Sequence, residues 1–318
     1  MTSPRRAVLT AVLTALLAAP ALVGCSSDSG TPSAGPGSAT ATTSSPSASG
    51  SATASAPTGD SPYPVYVALG DSYTAAPLVP TTDTGNGCLR SDHNYPALVA
   101  AAMPGTALTD VSCSGADSTS MIGVQETGDQ TQPAQFDALS KDADLVTIGI
   151  GGNDFNLFAT LVGVCSQLRD GDPTGNPCET KLRSGGGDTL TKELPKIRGH
   201  VRAIVAGIKD RAPNAKVIVV GYPQIIPSSG TCPKLLPLAD GDYPFARRIN
   251  QGLADAVEAG AAKADAYVDM FAASKGHDIC SDDPWINGAA TDATAALAFH
   301  PFAAEQQAAA DLVLEQLR

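Results

Sequence analysis

Four short stretches carry residue types that together suit nucleophilic catalysis. Ser72 follows the apolar run of "YVALGDS". Gly115 stands in "SCSGADS", Asn153 in "IGGNDF", and His300 in "AFHPFAAEQ". A serine hydroxyl is a poor nucleophile until a neighbouring base takes its proton. The chain has four histidines for that task. His200 falls inside a helical pattern, His93 opens one, and His277 sits on a loop. His300 lies just before the last helical segment, with Pro301 at what reads as the first helical position. Backbone N–H groups of Ser72 and Gly115 and the side-chain amide of Asn153 are the donor types that stabilise an oxyanion. Gly, Asp and Ser are also common turn residues, so Gly70-Asp71-Ser72 alone would read as a turn. Its partners at matching places in the chain favour chemistry. Asp71 is expected to accept backbone N–H groups in that turn.

These residues need elements that bring them to one edge. Five β-rich runs stand out: Tyr63–Gly70, Ala107–Cys113, Asp144–Gly152, Lys216–Tyr222 and Ala266–Met270. Several are nearly continuous apolar runs, as in strands buried on both faces of a parallel sheet. Helical patterns alternate with them at Asn94–Met103, Leu190–Pro213, Pro244–Lys263 and Pro301–Leu317. The alternation predicts an α/β fold with helices on both faces of a parallel sheet. Ser72, Gly115 and Asn153 each follow the carboxyl end of a strand, where open α/β sheets bind ligands. Three long connections, residues 154–188, 223–243 and 271–299, also follow strands and are expected to wall the site.

The amino-terminal part is of another kind. Residues 1–24 read as an export signal: Arg5 and Arg6, then an apolar run from Ala7 to Gly24. "LVGC" resembles a bacterial lipobox, which implies cleavage before Cys25 and a lipid on its sulfur. Residues 25–62 are Ser, Thr, Ala, Gly and Pro with almost no large apolar side chain, a composition that cannot offset its ordering entropy. They read as a lipidated cysteine and a flexible tether, and residues 63–318 as one domain large enough for a substantial core. The expected location is the outer face of the cytoplasmic membrane, or outside the cell if the anchor is released.

Of seven cysteines, Cys25 has a separate fate. The other six, Cys88, Cys113, Cys165, Cys178, Cys232 and Cys280, form an even set in an exported chain and point to three disulfides, with 15 possible pairings. Without zinc-type spacing, neither a metal nor another cofactor is expected. The formal charge of −12 falls by two more when Arg5 and Arg6 leave, which makes nucleic acid a poor partner. A monomer is expected.

The four motifs, in this order and each beside the right strand or helix, resemble those of the SGNH, or GDSL-type, hydrolase superfamily. The likeness covers roughly residues 63–318, and is nearest to secreted actinobacterial esterases and lipases. It implies a three-layer α/β/α sandwich, flavodoxin-like, with a five-stranded parallel sheet in the order 2-1-3-4-5. It implies Ser72 as nucleophile, His300 as base and Ser72, Gly115 and Asn153 as the oxyanion hole. It also implies the pairs Cys88–Cys113, Cys165–Cys178 and Cys232–Cys280. The implied activity is carboxylic ester hydrolysis on a small-molecule or lipid acyl ester, with O-deacetylation or acyl transfer on envelope glycans as the alternative and a non-catalytic binding module as the third. One departure stands out. Many members place an Asp three residues before the His, and here that position is Leu297. Either a backbone carbonyl, of Leu297 or Ala298, orients the imidazole, or a displaced carboxylate does, from Asp292, Asp283 or Asp282. "FNLFATLVGVC" (155–165) and "PQIIPSSG" (223–230) are candidates for an acyl groove, and Trp285 for either packing or the acyl wall.

Overall fold

The structure, a computed structural model, describes residues 61–184 and 188–318. The signal, Cys25 and nearly all of the tether lie outside the described residues. Five parallel strands form the central sheet: β1 (Val65–Gly70), β2 (Ala107–Asp110), β3 (Leu145–Gly149), β4 (Lys216–Val220) and β5 (Ala266–Val268). Their order is β2-β1-β3-β4-β5, with β1 paired to both β2 and β3. This is the order that the family resemblance implies. Chain reversal beside β1 puts the ends of β1, β2 and β3 next to one another, at the switch point where such sheets bind ligands.

The helices of the described residues include α1 (Ser72–Ala75), α2 (Tyr95–Ala101), α3 (Pro177–Arg183), α4 (Thr189–Arg211), α5 (Tyr243–Gly260) and α6 (Ala303–Gln316). The period-2 alternation of strand side chains divides the core in two. Val67 and Leu69 of β1, Val146 and Ile148 of β3, and Val217 and Val219 of β4 face one layer. There they meet Ile197, Val201, Val205 and Ile208 of α4 and Ile249, Leu253 and Val257 of α5. Tyr66, Ala68, Leu145, Ile218 and Val220 face the other, against Tyr95 and Val99 of α2 and Ala309, Ala310 and Val313 of α6. Each fully buried Val, Leu or Ile stabilises the fold by roughly 1.5–3 kcal/mol. The stripe on α4 recurs at helical spacing, and α4 and α5 together cover this face.

Two expectations need correction. Residues 154–188 are not a loop. They hold a π-helical segment (Ala159–Val164), a turn of α-helix (Cys165–Leu168) and α3. Each piece is too short for periodicity to reveal, and α3 is capped from afar: the Asp242 carboxylate accepts from the N–H groups of Cys178 and Glu179. Pro301 does not start the last helix. It pairs with Ile286 in an isolated β-bridge, and α6 begins at Ala303. Two small antiparallel ribbons, Thr82–Asp83 with Arg90–Ser91 and Gln125–Thr127 with Gln130–Gln132, add to the edge beside β2.

Three disulfides join Cys88 to Cys113, Cys165 to Cys178 and Cys232 to Cys280. The first lies two residues before Gly115, and the second ties the α-helical turn Cys165–Leu168 to α3. The third joins the connections that follow β4 and β5.

Glu305 is buried at the start of α6, where Gln306 Nε2 donates to its carboxylate at 2.7 Å. Burial pushes its carboxyl up to about 8 from an ordinary 4.5. A carboxyl whose folded value is raised stabilises nothing above the unfolded value; stability falls as pH rises from about 4.5 and the loss saturates above about 8. Glu305→Gln is therefore expected to gain a few kcal/mol at pH 8 and nothing at pH 4. Urea denaturation at the two pH values checks this, and equal changes at both would contradict it.

Candidate active site

The turn after β1 leaves no room for any residue but glycine. Gly70 has φ +151°, and a Cβ there would stand 2.2 Å from Thr74 Oγ1 and 2.8 Å from the carbonyl of Gly149. Its N–H and C=O are both held by the Gln135 amide, at 2.8 Å each. Asp71 caps the four-residue α1, accepting from the Tyr73 N–H at 2.9 Å. Ser72 thus sits at the first position of a helix, just past the sheet edge, with 6% of its surface exposed.

Asp71 does more than cap. Its other oxygen accepts from the Tyr222 hydroxyl, and the Tyr222 oxygen accepts from the Gly152 N–H at 2.7 Å. Burial pushes the Asp71 carboxyl up to about 7, against the bonds from Tyr222 and Tyr73 that lower it. This relay links the turn after β1 to the turn after β3, where a Cβ at Gly152 would strike the Phe158 ring at 2.3 Å. Asn153 follows, and its Nδ2 donates to the carbonyl of Ala116 at 2.9 Å. That bond joins the Asn153 turn to the Gly115 turn, in which Gly115 has φ +80° and is exposed. Among the described residues, no backbone or side-chain acceptor meets the N–H of Ser72 or of Gly115. Asn153 uses one of its two amide hydrogens on Ala116 and keeps the other.

Asp154 pins the same turn from behind. It is buried and accepts from the N–H and hydroxyl of Ser118, at 2.8 and 2.7 Å, and lies 2.7 Å from His200 Nδ1. His200 is accordingly spent on a structural bond. His93 pairs with Asp92 in solvent, and His277 stacks on Trp285 with centroids 4.3 Å apart.

His300 comes from the far end of the chain. Its Nδ1 lies 2.7 Å from the carbonyl oxygen of Ala298. A carbonyl only accepts, so Nδ1 carries the hydrogen and Nε2 is left as the acceptor. The Leu297 carbonyl is used otherwise, by the His300 backbone N–H at 3.1 Å. The carboxylates weighed as substitutes are turned elsewhere. Asp292 bonds the N–H and hydroxyl of Thr294, which hold it below its usual range, Asp283 lies 3.3 Å from His277, and Asp282 is exposed. Burial holds the His300 imidazole below its ordinary value, outweighing the bond to Ala298 that raises it.

Ser72, Asn153, Ala298 and His300 line one cavity of about 220 Å³. Gly115 stands beside it through the Asn153–Ala116 bond rather than in its wall. The rest of the lining is apolar: Tyr73, Phe158, Ala159, Val162, Ile225 and Phe299. Both candidate groove segments therefore contribute, Phe158, Ala159 and Val162 from one and Ile225 from the other. The π-helical geometry, frequent at functional sites, sets Ala159 and Val162 on that wall. Trp285 packs against the second core layer and does not line the cavity. Sequence reasoning assigns no role to Tyr73 or Tyr222; the available signal was that each stands just past the carboxyl end of a strand.

Residues 68–308 match the profile of the GDSL-like Lipase/Acylhydrolase family. A protein named Lipase 2 from Streptomyces coelicolor is 39% identical over 223 residues, 68% of this chain and 72% of that protein. A lipase from Streptomyces rimosus is 34% identical over 228 residues, 70% of this chain and 75% of that one. Among solved structures, a phospholipase A1 from Streptomyces albidoflavus is 28% identical, with a TM-score of 0.65 covering 80% of this chain and 99% of the other.

Proposed function

Because the chain belongs to the GDSL-like lipase/acylhydrolase family, we propose that it hydrolyses carboxylic esters by a Ser72–His300 dyad through an acyl-enzyme. The observation that carries this reading is the shared cavity of Ser72, His300 and Asn153, with the imidazole bonded to the Ala298 carbonyl. His300 Nε2 takes the Ser72 proton as Oγ attacks the ester carbonyl. The N–H groups of Ser72 and Gly115 and the free amide hydrogen of Asn153 receive the oxyanion. The imidazolium then protonates the leaving alcohol, and water, deprotonated by the same imidazole, releases the acid. The Ala298 carbonyl fixes tautomer and ring orientation, which is much of what a triad carboxylate does.

The substrate class follows from the wall. The cavity is small, about 220 Å³, and mostly apolar in its wall, which suits an acyl chain with a few fixed polar groups at one end. The relatives' names, lipases and a phospholipase, agree with acyl esters of that kind. The test is kcat/KM over p-nitrophenyl esters from acetate to palmitate. The reading expects a rise from acetate to octanoate. A maximum at acetate with acetylated glycans preferred would favour the deacetylase alternative, and acyl transfer outrunning hydrolysis would favour a transferase.

The acid limb is a second expectation. Neutral His300 is the base, and burial holds its imidazole low. The acid-side midpoint of kcat/KM should therefore lie below the ordinary imidazole value of about 6.5. A midpoint at or above pH 7, or a flat profile to pH 4, would contradict it.

We also propose export and anchoring by a lipid on Cys25, as a monomer. The support is "LVGC" after an apolar run, and three disulfides of the kind that persist in oxidising compartments. No helix of the described residues is long and apolar enough to cross a membrane. Globomycin-sensitive processing at Cys25 would test the anchor.

A further inference from the structure

The bond from His300 Nδ1 to Ala298 reaches only two residues back. It fixes the ring against its own backbone and says nothing of where that backbone stands relative to Ser72. Something else must set that distance. Phe299 has φ +62°, a left-handed conformation unusual for a large side chain, which turns its carbonyl away from the usual course. That carbonyl accepts from the Tyr73 hydroxyl at 2.8 Å. The Tyr73 ring also lies near the imidazole, with centroids 5.7 Å apart.

Tyr73 is the residue after the nucleophile, and it is itself held on several sides. Its ring stacks on Phe158 at 5.5 Å and meets Tyr222 edge-on at 5.4 Å. Its N–H is bound by Asp71, and its carbonyl accepts from Gln306 Nε2 of α6 at 2.9 Å. One backbone bond helps, from the Leu297 N–H to the Pro77 carbonyl at 3.1 Å. Tyr73 is the side chain that joins the helix of Ser72 directly to the peptide of His300.

We infer that Tyr73 is a positioning residue: its hydroxyl, by holding the Phe299 carbonyl, sets His300 against Ser72 and completes the alignment that the Ala298 carbonyl begins. This inference rests on the Ser72–His300 reading. Burial keeps the Tyr73 phenol well above its ordinary value, with the Glu305 and Asp71 carboxyls facing it raising it further. It therefore stays a donor throughout the pH range in which the imidazole acts.

The experiment compares wild type, Tyr73→Phe and Tyr66→Phe. Tyr66→Phe also removes a buried hydroxyl, one bonded to Thr147 in the opposite core layer, and serves as a control for general loosening. Each is assayed for kcat, KM, the acid limb of kcat/KM and the rate of Ser72 phosphonylation by a p-nitrophenyl phosphonate. Tyr73→Phe keeps the ring and its stacking. It is expected to lower kcat and the phosphonylation rate together by about 10–100-fold, up to the cost of misplacing a catalytic group by about 1 Å, with KM within a few-fold. Its acid limb should move up toward the ordinary imidazole value as the ring is freed, while Tyr66→Phe stays near wild type in all four. Equal rates and an unmoved acid limb in Tyr73→Phe would overturn the inference, as would an equal loss in Tyr66→Phe. Wild type that resists phosphonylation would instead sink the Ser72–His300 reading itself, so the two failures are distinct. If Tyr73→Phe fails to fold by circular dichroism while Tyr66→Phe folds, the hydroxyl is structural and the inference is overturned.

Discussion

Ser72→Ala is expected to lower kcat on a p-nitrophenyl ester by about 10⁵-fold or more, with His300→Ala close behind. In the proposed dyad the two residues act as one unit. Without Oγ there is no nucleophile for the imidazole to serve, and without the imidazole Oγ keeps its proton. The double variant should therefore be hardly worse than either single one. The residual rate would come from the oxyanion donors and from binding, which survive both changes. The Ser72 side chain gives no hydrogen bond to the core and the His300 imidazole bonds only the nearby Ala298 carbonyl, so native circular dichroism is expected. In contrast, Asp292→Ala and Asp283→Ala should stay within a few-fold of wild type, because the Thr294 turn and His277 already occupy those carboxylates. Turnover numbers at saturating ester check this. A loss of ~10³ from either aspartate would show a carboxylate behind His300 and defeat the carbonyl-oriented dyad.

Asn153→Ala is expected to cost ~10²–10³ in kcat with little change in KM, the effect of removing one oxyanion donor. Two contributions act in the same direction. The variant loses the amide hydrogen proposed for the oxyanion hole, and it also cuts the bond to the Ala116 carbonyl that holds the Gly115 turn. Asn153→Asp should be at least as damaging, since it puts a carboxylate where negative charge must form. The Asp71–Tyr222–Gly152 relay and the Asp154–Ser118 bonds are untouched in both, so the fold should hold. A loss under tenfold in Asn153→Ala, measured at saturating substrate, would remove Asn153 from the oxyanion hole.

The inner strands of the sheet were legible because they are buried on both faces, which leaves near-continuous runs such as "KVIVV" and "LVTIG". Of the candidate site residues, Ser72, Asn153 and His300 meet in one cavity because each follows a strand end or precedes the last helix, where the topology brings them together. Lengths of 4–7 residues hid the other pieces. The α-helical turn Cys165–Leu168 and α3 hold their shape through contacts distant in sequence, the Cys165–Cys178 bond and the Asp242 cap. Pro301 obeys a good local rule for a helix start, and the β-bridge to Ile286 overrides it. The choice between Leu297 and Ala298 turns on local backbone conformation, with Phe299 at φ +62° and Nδ1 meeting the Ala298 carbonyl. No propensity reports such a conformation for phenylalanine. Tyr73 and Tyr222 carry no motif, and their roles depend on hydrogen bonds spanning 226 and 151 residues.

The central claim is that Ser72 is a nucleophile activated by His300. Its most direct test is stoichiometric reaction with a p-nitrophenyl phosphonate, read by intact mass and peptide mapping. The predicted result is one adduct per chain, located on Ser72, absent in Ser72→Ala and formed far more slowly in His300→Ala. Ester turnover by a protein that takes no adduct, or takes it on another residue, would contradict the account.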